Sequence, residues 1–505
     1  MDNQRLTPLR VEPDTRKPTV YFFLLLLPFL LLVLIFIIIR KNPLDFRLVF
    51  SDELDYWAET ATLIKRGLFS PNAGYFGYSF DNFARLSYFG AHGFFSLIPY
   101  ALIGIFAPRA QVTVLALNAL FIGVSLSTTY HLTGSLRKTL AIALLLFAFY
   151  PFYLYYQTGM VETLFYAGSI ILAVLCVKCF TPDSRQWSFL RLYFWVVILF
   201  SLFRLSNLVL IIPAFYVEIS LEKSNKLLTI IKYGLIAVVV ALLSILFSAT
   251  YPWGFLGELG KSTAKLSLVI SHTASNFQLL FDLKAGYGLE ILPRFLFLSW
   301  LIFLCIYYFA TKKYNIKSND HFLLAQILAM LALLAINLTL YDIGSFRDLR
   351  VLSPILVFSM ITFFLYGIGK NSGKLVLVFA VVFLLASNYV VVSERTMVQD
   401  LFVSRRYEAV NPPAILQAVR YDPDAKTRWD NTAYVDLRVY GSLDWQNYSP
   451  GIGIMALSPE EIESLKPSDT GSLTQAEYII SIEPIYLTGY QLSKTEQNAY
   501  LYSRD

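Results

Sequence analysis

Three groups of residues in this chain have the types and spacing for chemistry on an anionic substrate. The stretch "SDELDYW" sets Asp52 and Glu53 behind a long apolar run, with Tyr56 and Trp57 three and four residues past Glu53 and so on its helical face. A further acid, Glu162, stands in "YQTGMVETLF" at the start of another apolar segment. Arginines follow: Arg204 inside "FSLFRLSNLVLIIP", and Arg347 and Arg350 in "FRDLRVLSPILVF". A carboxylate can take a proton from a hydroxyl, and a guanidinium offers a planar fork matched to phosphate. Each feature also has a plainer reading. Ser51 could cap a helix whose first turn carries Asp52 and Glu53, and the arginines could anchor helix ends among headgroups.

What decides between these readings is where the elements put the residues. The chain is 56% hydrophobic and 15% charged, with a mean hydropathy of +0.56, far from a soluble domain. It reads as an α-helical polytopic membrane protein. A span takes about 20 residues to cross a ~30 Å hydrocarbon core. Thr19–Ile39 meets this, and without a small-residue cleavage site it reads as a retained helix and not a signal peptide. Gln111–Tyr130, Thr139–Tyr156 and Val161–Phe180 follow. Trp187–Leu221 would run roughly 52 Å as one helix, so it predicts two short helices meeting at Arg204. Leu227–Ala249, Pro293–Ala310, Phe322–Tyr341, Val351–Gly369 and Leu375–Val392 bring the expected number to eleven. Phe94–Ala107, with Pro99 at its centre, is short for a span and reads as an interfacial helix.

Loop charges orient this arrangement. With the N-terminal segment 1–18 inside, the inner loops carry Arg137/Lys138, Arg185, Lys223/Lys226, Lys312/Lys313/Lys317 and Lys370/Lys374. A spanning Phe94–Ala107 would invert all of them. The same orientation puts Asp52, Glu53, Glu162, Arg204, Arg347 and Arg350 on one outer side, with outer loops at 40–110 and 250–293. Opposite charges on one side are what a carboxylate-lined site for an anion needs.

The membrane part, 19–392, gives way at 393 to a polar tail of alternating segments. Residues 393–505 hold 10 basic and 16 acidic residues, leaving 31 basic against 19 acidic in the rest. That asymmetry speaks of topology, not nucleic acid. "PPAILQAV" and "SPEEIESL" read as helices, the latter with Ser458, Pro459 and Glu461 in a capping box. "TAYVDLRVY", "AEYIISIEP" and "AYLYSRD" read as strands, so the tail is a small α/β domain, extracytoplasmic by the odd number of spans. Its Trp429, Tyr434, Tyr440, Trp445 and Tyr448 could stack on sugars or pack a core. Cys176, Cys179 and Cys305 lie in apolar segments and read as packing, not metal ligands. Asn118 and Asn337 read as hydrogen-bond partners between helices. His272, in the 43-residue stretch 251–293, reads as solvated or as a phosphate contact.

Taken together these motifs resemble the GT-C membrane glycosyltransferases, near the protein O-mannosyltransferase and aminoarabinose-transferase branch. "SDELDYWAETATLIKRG" is similar to that family's acidic first-outer-loop motif. "GAHGFFSLIPYALIGIF" resembles its histidine segment before an interfacial helix, with His92 at the histidine and the prolines missing. "QTGMVETLF", "FSLFRLSNLVLIIP" and "FRDLRVLSPILVF" are similar to the later acidic, basic and Arg-x-Leu-x-x-Pro elements. The resemblance covers most of residues 20–390, in order. It implies transfer of a sugar from a polyprenyl-phosphate carrier to a glycan, lipid or protein acceptor at the outer face of a bacterial inner membrane. It also implies Asp52 as general base, with Glu53 and Glu162 shaping the acceptor or donor side, and Tyr56, His92, Arg204, Arg347 and Arg350 binding substrate. The sequence requires no divalent metal and leaves room for one. A lipid-linked-sugar flippase or transporter is the alternative; it would favour repeated halves with broken helices at the midplane, and no repeat is visible. A membrane scaffold with a partner-binding tail would leave the one-sided charges unexplained.

Overall fold

The computed structural model describes residues 17–38, 53, 56, 60–61, 63–65, 94–107, 110–181, 184–221, 226–248, 265–282, 288–313, 320–340, 347–366, 378, 381–386, 389, 413–420, 422, 428–436, 439, 452–457, 476–486 and 489–505. Asp52, His92, the "SPEEIESL" segment and the side chains of Arg347 and Trp429 lie outside the described residues. So do Tyr440, Trp445 and Tyr448.

The described chain is mostly helical. Among the described residues six helices are long and apolar enough to cross a membrane: Pro18–Ile37, Thr113–Thr133, Glu162–Phe180, Gln186–Phe203, Lys226–Leu243 and His321–Thr339. Four shorter apolar helices accompany them, including Phe95–Gly104, Arg294–Ala310 and Arg350–Tyr366. In chain order the helices of interest here are α1 (Pro18–Ile38), α2 (Phe94–Gly104), α3 (Ala110–Thr133), α4 (Leu136–Ala148), α5 (Tyr150–Tyr156), α6 (Glu162–Phe180), α7 (Gln186–Phe203), α8 (Ile211–Leu221), α9 (Lys226–Ser248), α10 (Lys265–Phe281), α11 (Gly288–Lys313), α12 (Asp320–Leu340) and α13 (Arg347–Tyr366).

Helix α6 is apolar all round, and almost every residue in it is buried, which makes it the central post of the bundle. It packs along α3, α7 and α13. Glycines let two of the neighbouring pairs approach closely. A Cβ on Gly168 of α6 would fall inside the Phe200 ring of α7, and one on Gly123 of α3 would strike the Leu25 carbonyl of α1. Trp300 of α11 donates to the Ser359 hydroxyl of α13 at 2.9 Å.

Several expected elements need correction. Thr139–Tyr156 is two helices, α4 and α5, broken at Phe149 with extended dihedrals; Pro151 follows in the first turn of α5, where its missing N–H costs nothing. The stretch 251–293 is not a plain loop, for it contains α10. Within α10 the His272 ring nitrogen bonds Asn276 Nδ2 at 2.9 Å, and Asn276 also donates to the Leu338 carbonyl of α12. Asn337 donates to the Leu333 carbonyl of its own helix, not to a neighbour. Of Leu375–Val392 only residues 378, 381–386 and 389 are described, all helical.

The tail carries a mixed five-stranded sheet in the order β2-β1-β3-β5-β4. Its strands are β1 (Thr432–Asp436), β2 (Gly453–Leu457), β3 (Tyr478–Ser481), β4 (Tyr490–Glu496) and β5 (Ala499–Arg504). β1 pairs parallel with β2 and β3, and β5 pairs antiparallel with β3 and β4. Gln497 and Asn498, both at positive φ, form the two-residue turn between β4 and β5. Tyr434 is fully buried against Ile479 and Tyr502, so it is core and cannot stack on a ligand.

Candidate functional site

The break at Arg204 is built locally. Helix α7 ends there because Arg204 turns extended (φ −154, ψ 121) while its N–H still bonds the Phe200 carbonyl at 3.0 Å. Asn207, buried in the following 3-10 turn Leu205–Leu210, donates its side chain to that same carbonyl at 3.0 Å. The Phe200 carbonyl thus accepts both bonds, which ties the start of the turn to the end of α7. The chain then returns along α7 as α8, with the Tyr193 hydroxyl donating to the Leu210 carbonyl at 2.6 Å. The Arg204 side chain is thereby released from helical geometry and aimed at α6.

Glu162 opens α6, where the helix dipole favours a negative charge. Its side chain is 0% exposed. One oxygen, Oε1, accepts from Arg204 Nη2 at 2.7 Å and from Arg350 Nε at 2.7 Å. The other, Oε2, is buried without a hydrogen-bond partner among the described residues. Arg204 Nη1 also donates to the Arg350 carbonyl at 2.7 Å, and its guanidinium lies 4.1 Å from the centroid of the Phe165 ring. The two arginine side chains are 15% and 17% exposed, so they form the open layer over a closed carboxylate floor.

The acid-rich stretch after α1 is tied to this cluster at two points. Glu53, Tyr56, Thr60–Ala61 and residues 63–65 are helical. Arg350 Nη2 donates to the Tyr56 hydroxyl at 2.7 Å. Glu53, fully buried, accepts the Gly159 N–H at 2.6 Å. Gly159 lies in the buried turn joining α5 to α6, whose polar groups are also met by Thr158, Thr163 and Asn118. The Asn118 side chain donates to the Tyr156 carbonyl at 3.1 Å and the Thr158 carbonyl at 2.9 Å. Its oxygen accepts from the Tyr100 hydroxyl of α2 at 3.0 Å.

The structure thus brings together Glu53, Tyr56, Glu162, Arg204 and Arg350, contributed by segments far apart in sequence. Sequence reasoning missed Phe165, Gly159 and Tyr100. The spacing of Phe165 three residues past Glu162 was the available signal for the first; the others depend on how the helices rotate. Glu162, one of the candidate carboxylates, is closed to solvent beneath the two arginines. Among the described residues no group of three His, Cys, Asp or Glu side chains could hold a metal ion. Chemically, the arrangement can hold an anion: each guanidinium has five N–H donors, and the bonds described for Arg204 leave some for a ligand. No protein-family model matches the chain, and the search of curated proteins and that of solved structures likewise found no match.

Proposed function

We propose that the chain is a membrane glycosyltransferase of the GT-C kind that moves a sugar from a polyprenyl-phosphate carrier to an acceptor hydroxyl at the outer membrane face. The observation that carries this reading is the convergence of Arg204 and Arg350, from separate helices, beside the Glu53–Tyr56 helix. The carrier's lipid tail stays in the bilayer and presents the sugar–phosphate at the arginines. The acceptor oxygen attacks the anomeric carbon and gives its proton to Asp52, one residue before Glu53. The bond from that carbon to the phosphate oxygen breaks, and its electron pair leaves with the phosphate. Attack from the opposite face inverts the anomeric centre, on the logic of inverting glycosidases. Arg204 and Arg350 stabilise the departing phosphate with charge-assisted bonds. Glu53 and Tyr56 fix the segment that follows the base in sequence.

In this reading eleven spans leave the N-terminus inside and the tail outside. Reporter fusions after Lys138, Lys313 and Asp505 should read inside, inside and outside. An outside signal at Lys138 would put Asp52 and Glu53 on the opposite side from Glu162, Arg204 and Arg350. The decisive assay offers the purified protein a panel of polyprenyl-phosphate sugars and scores released polyprenyl phosphate. No release from any donor would sink the transferase.

A further inference from the structure

Two cations that serve one phosphate face a difficulty after the bond breaks: the same pair grips the product. Glu162 bears on it. Its charge reaches both arginines through a single oxygen, it is closed to solvent, and its second oxygen has no partner among the described residues. The described charged groups of the cluster are Glu53, Glu162, Arg204 and Arg350, which sum to zero.

Resting on the transferase reading, we infer that Glu162 is a positioning residue that sets the grip of the arginine pair, offsetting part of their charge so that polyprenyl monophosphate can leave. Glu162 cannot swing out to meet substrate, because a buried carboxylate stripped of its partners is costly. It stays fixed and holds both guanidiniums in one orientation, and Arg204 keeps donors beyond its described bonds for the ligand. Its negative charge opposes the phosphate from beneath the guanidinium layer. At an effective dielectric near 20, one charge roughly 10 Å away changes anion affinity by about tenfold.

Glu162→Gln isolates the charge, because the amide oxygen can still accept from an arginine. Binding of polyprenyl monophosphate and of neutral polyprenol is measured in parallel on detergent-purified wild type and variants. The variant should bind the monophosphate about tenfold more tightly, with polyprenol unchanged. In turnover, kcat and KM should fall together, which a merely structural lesion would not produce. Equal or weaker monophosphate binding in Glu162→Gln overturns the inference. Should that variant fail to fold, the double variant Arg204→Gln/Glu162→Gln, which removes the pair together, takes its place. It should bind the monophosphate more tightly than Arg204→Gln alone, and equal binding overturns the inference as well. A charge-dependent grip in a protein that transfers no sugar from any donor would leave this inference standing and remove the transferase.

Discussion

Two buried carboxylates in this bundle are each paired with cations, Glu218 with one lysine and Glu162 with two arginines, yet they are built for different ends. Glu218, near the end of α8, accepts from Lys232 Nζ at 2.6 Å and from the Tyr233 hydroxyl at 2.7 Å. Both partners lie in the next helix, and both oxygens are used. The Tyr233 ring is held edge-on by Phe194 and Phe215. Lys232 itself is 52% exposed. Glu162 draws instead on partners 42 and 188 residues away and leaves one oxygen unpartnered. A local ion pair that satisfies itself is a staple between neighbouring helices. A carboxylate that gathers arginines from distant helices and leaves one of its own oxygens unpartnered among the described residues is, on the proposed reading, the floor of the phosphate site. Residue types do not separate these cases; reach and saturation do.

The largest expected effect tests the functional side of that contrast. Asp52→Asn should lower transfer by about 10²- to 10⁴-fold while expression, melting temperature and donor-lipid binding stay near wild type. An amide keeps shape but cannot take the hydroxyl proton. If Asp52 only starts a helix, the loss is instead about 1 kcal/mol of stability with turnover per folded molecule intact. Turnover that survives in Asp52→Asn but fails in Glu53→Gln would move the base one residue along.

The next pair of variants tests the two carboxylates directly. Arg204→Gln leaves Glu162 with one cation in a closed site and should cost roughly 2–3 kcal/mol, read as a lower melting temperature in detergent. Lys232→Gln removes a half-exposed cation and should cost about 1 kcal/mol or less, since solvent already screens that pair. Glu218 keeps its tyrosine in that variant, and sugar transfer per folded molecule should not change. Equal losses at the two sites would mean that Glu162 is one more staple.

How much of this could be read from the chain depends on which physical signal each feature leaves. The break at Arg204 was legible because a mostly apolar stretch of 35 residues is too long for one crossing. The partnership of Glu162 with Arg204 and Arg350 was legible only as a shared side, inferred from basic loops. That both arginines meet the same oxygen depends on helix rotation, which no hydropathy pattern fixes. Asn118 was legible as a helix-to-helix bond, whereas Asn337 turned to its own backbone, an equally good outcome for one amide. Glu218 was missed because a lone acid near a helix end looks solvated until Lys232 and Tyr233 are seen opposite it. In the tail, β1, β3 and β5 carry apolar and aromatic runs and were found. β4, "YQLSKTE", is polar and exposed along its length, and β2 begins at a glycine in "GIMAL"; neither shows a clear alternation.

The smallest expected effect concerns the tail, where ion pairs are partly exposed. Arg504 Nη2 lies 2.5 Å from Asp430 and 3.2 Å from Glu477. Burial pushes the Glu477 carboxyl above its ordinary value; Arg504 pulls it down, and Asp430 and Asp422 push it up further. A carboxyl whose folded value is raised binds its proton more readily in the folded state than in the unfolded one. Its stabilising contribution is therefore present at low pH and is lost as pH rises from the unfolded value through the raised one. Stability of the sheet around β3 should decline slightly over the upper carboxylate range and level off above it. Glu477→Gln, which never ionises, should flatten that decline. Hydrogen–deuterium exchange of the Tyr478–Ser481 amides, corrected for the intrinsic pH dependence of exchange, reads this stability within the whole protein. A rise in protection with pH across that range would mean that Arg504 outweighs burial, and that Glu477 is an ion-pair partner in the same sense as Glu162.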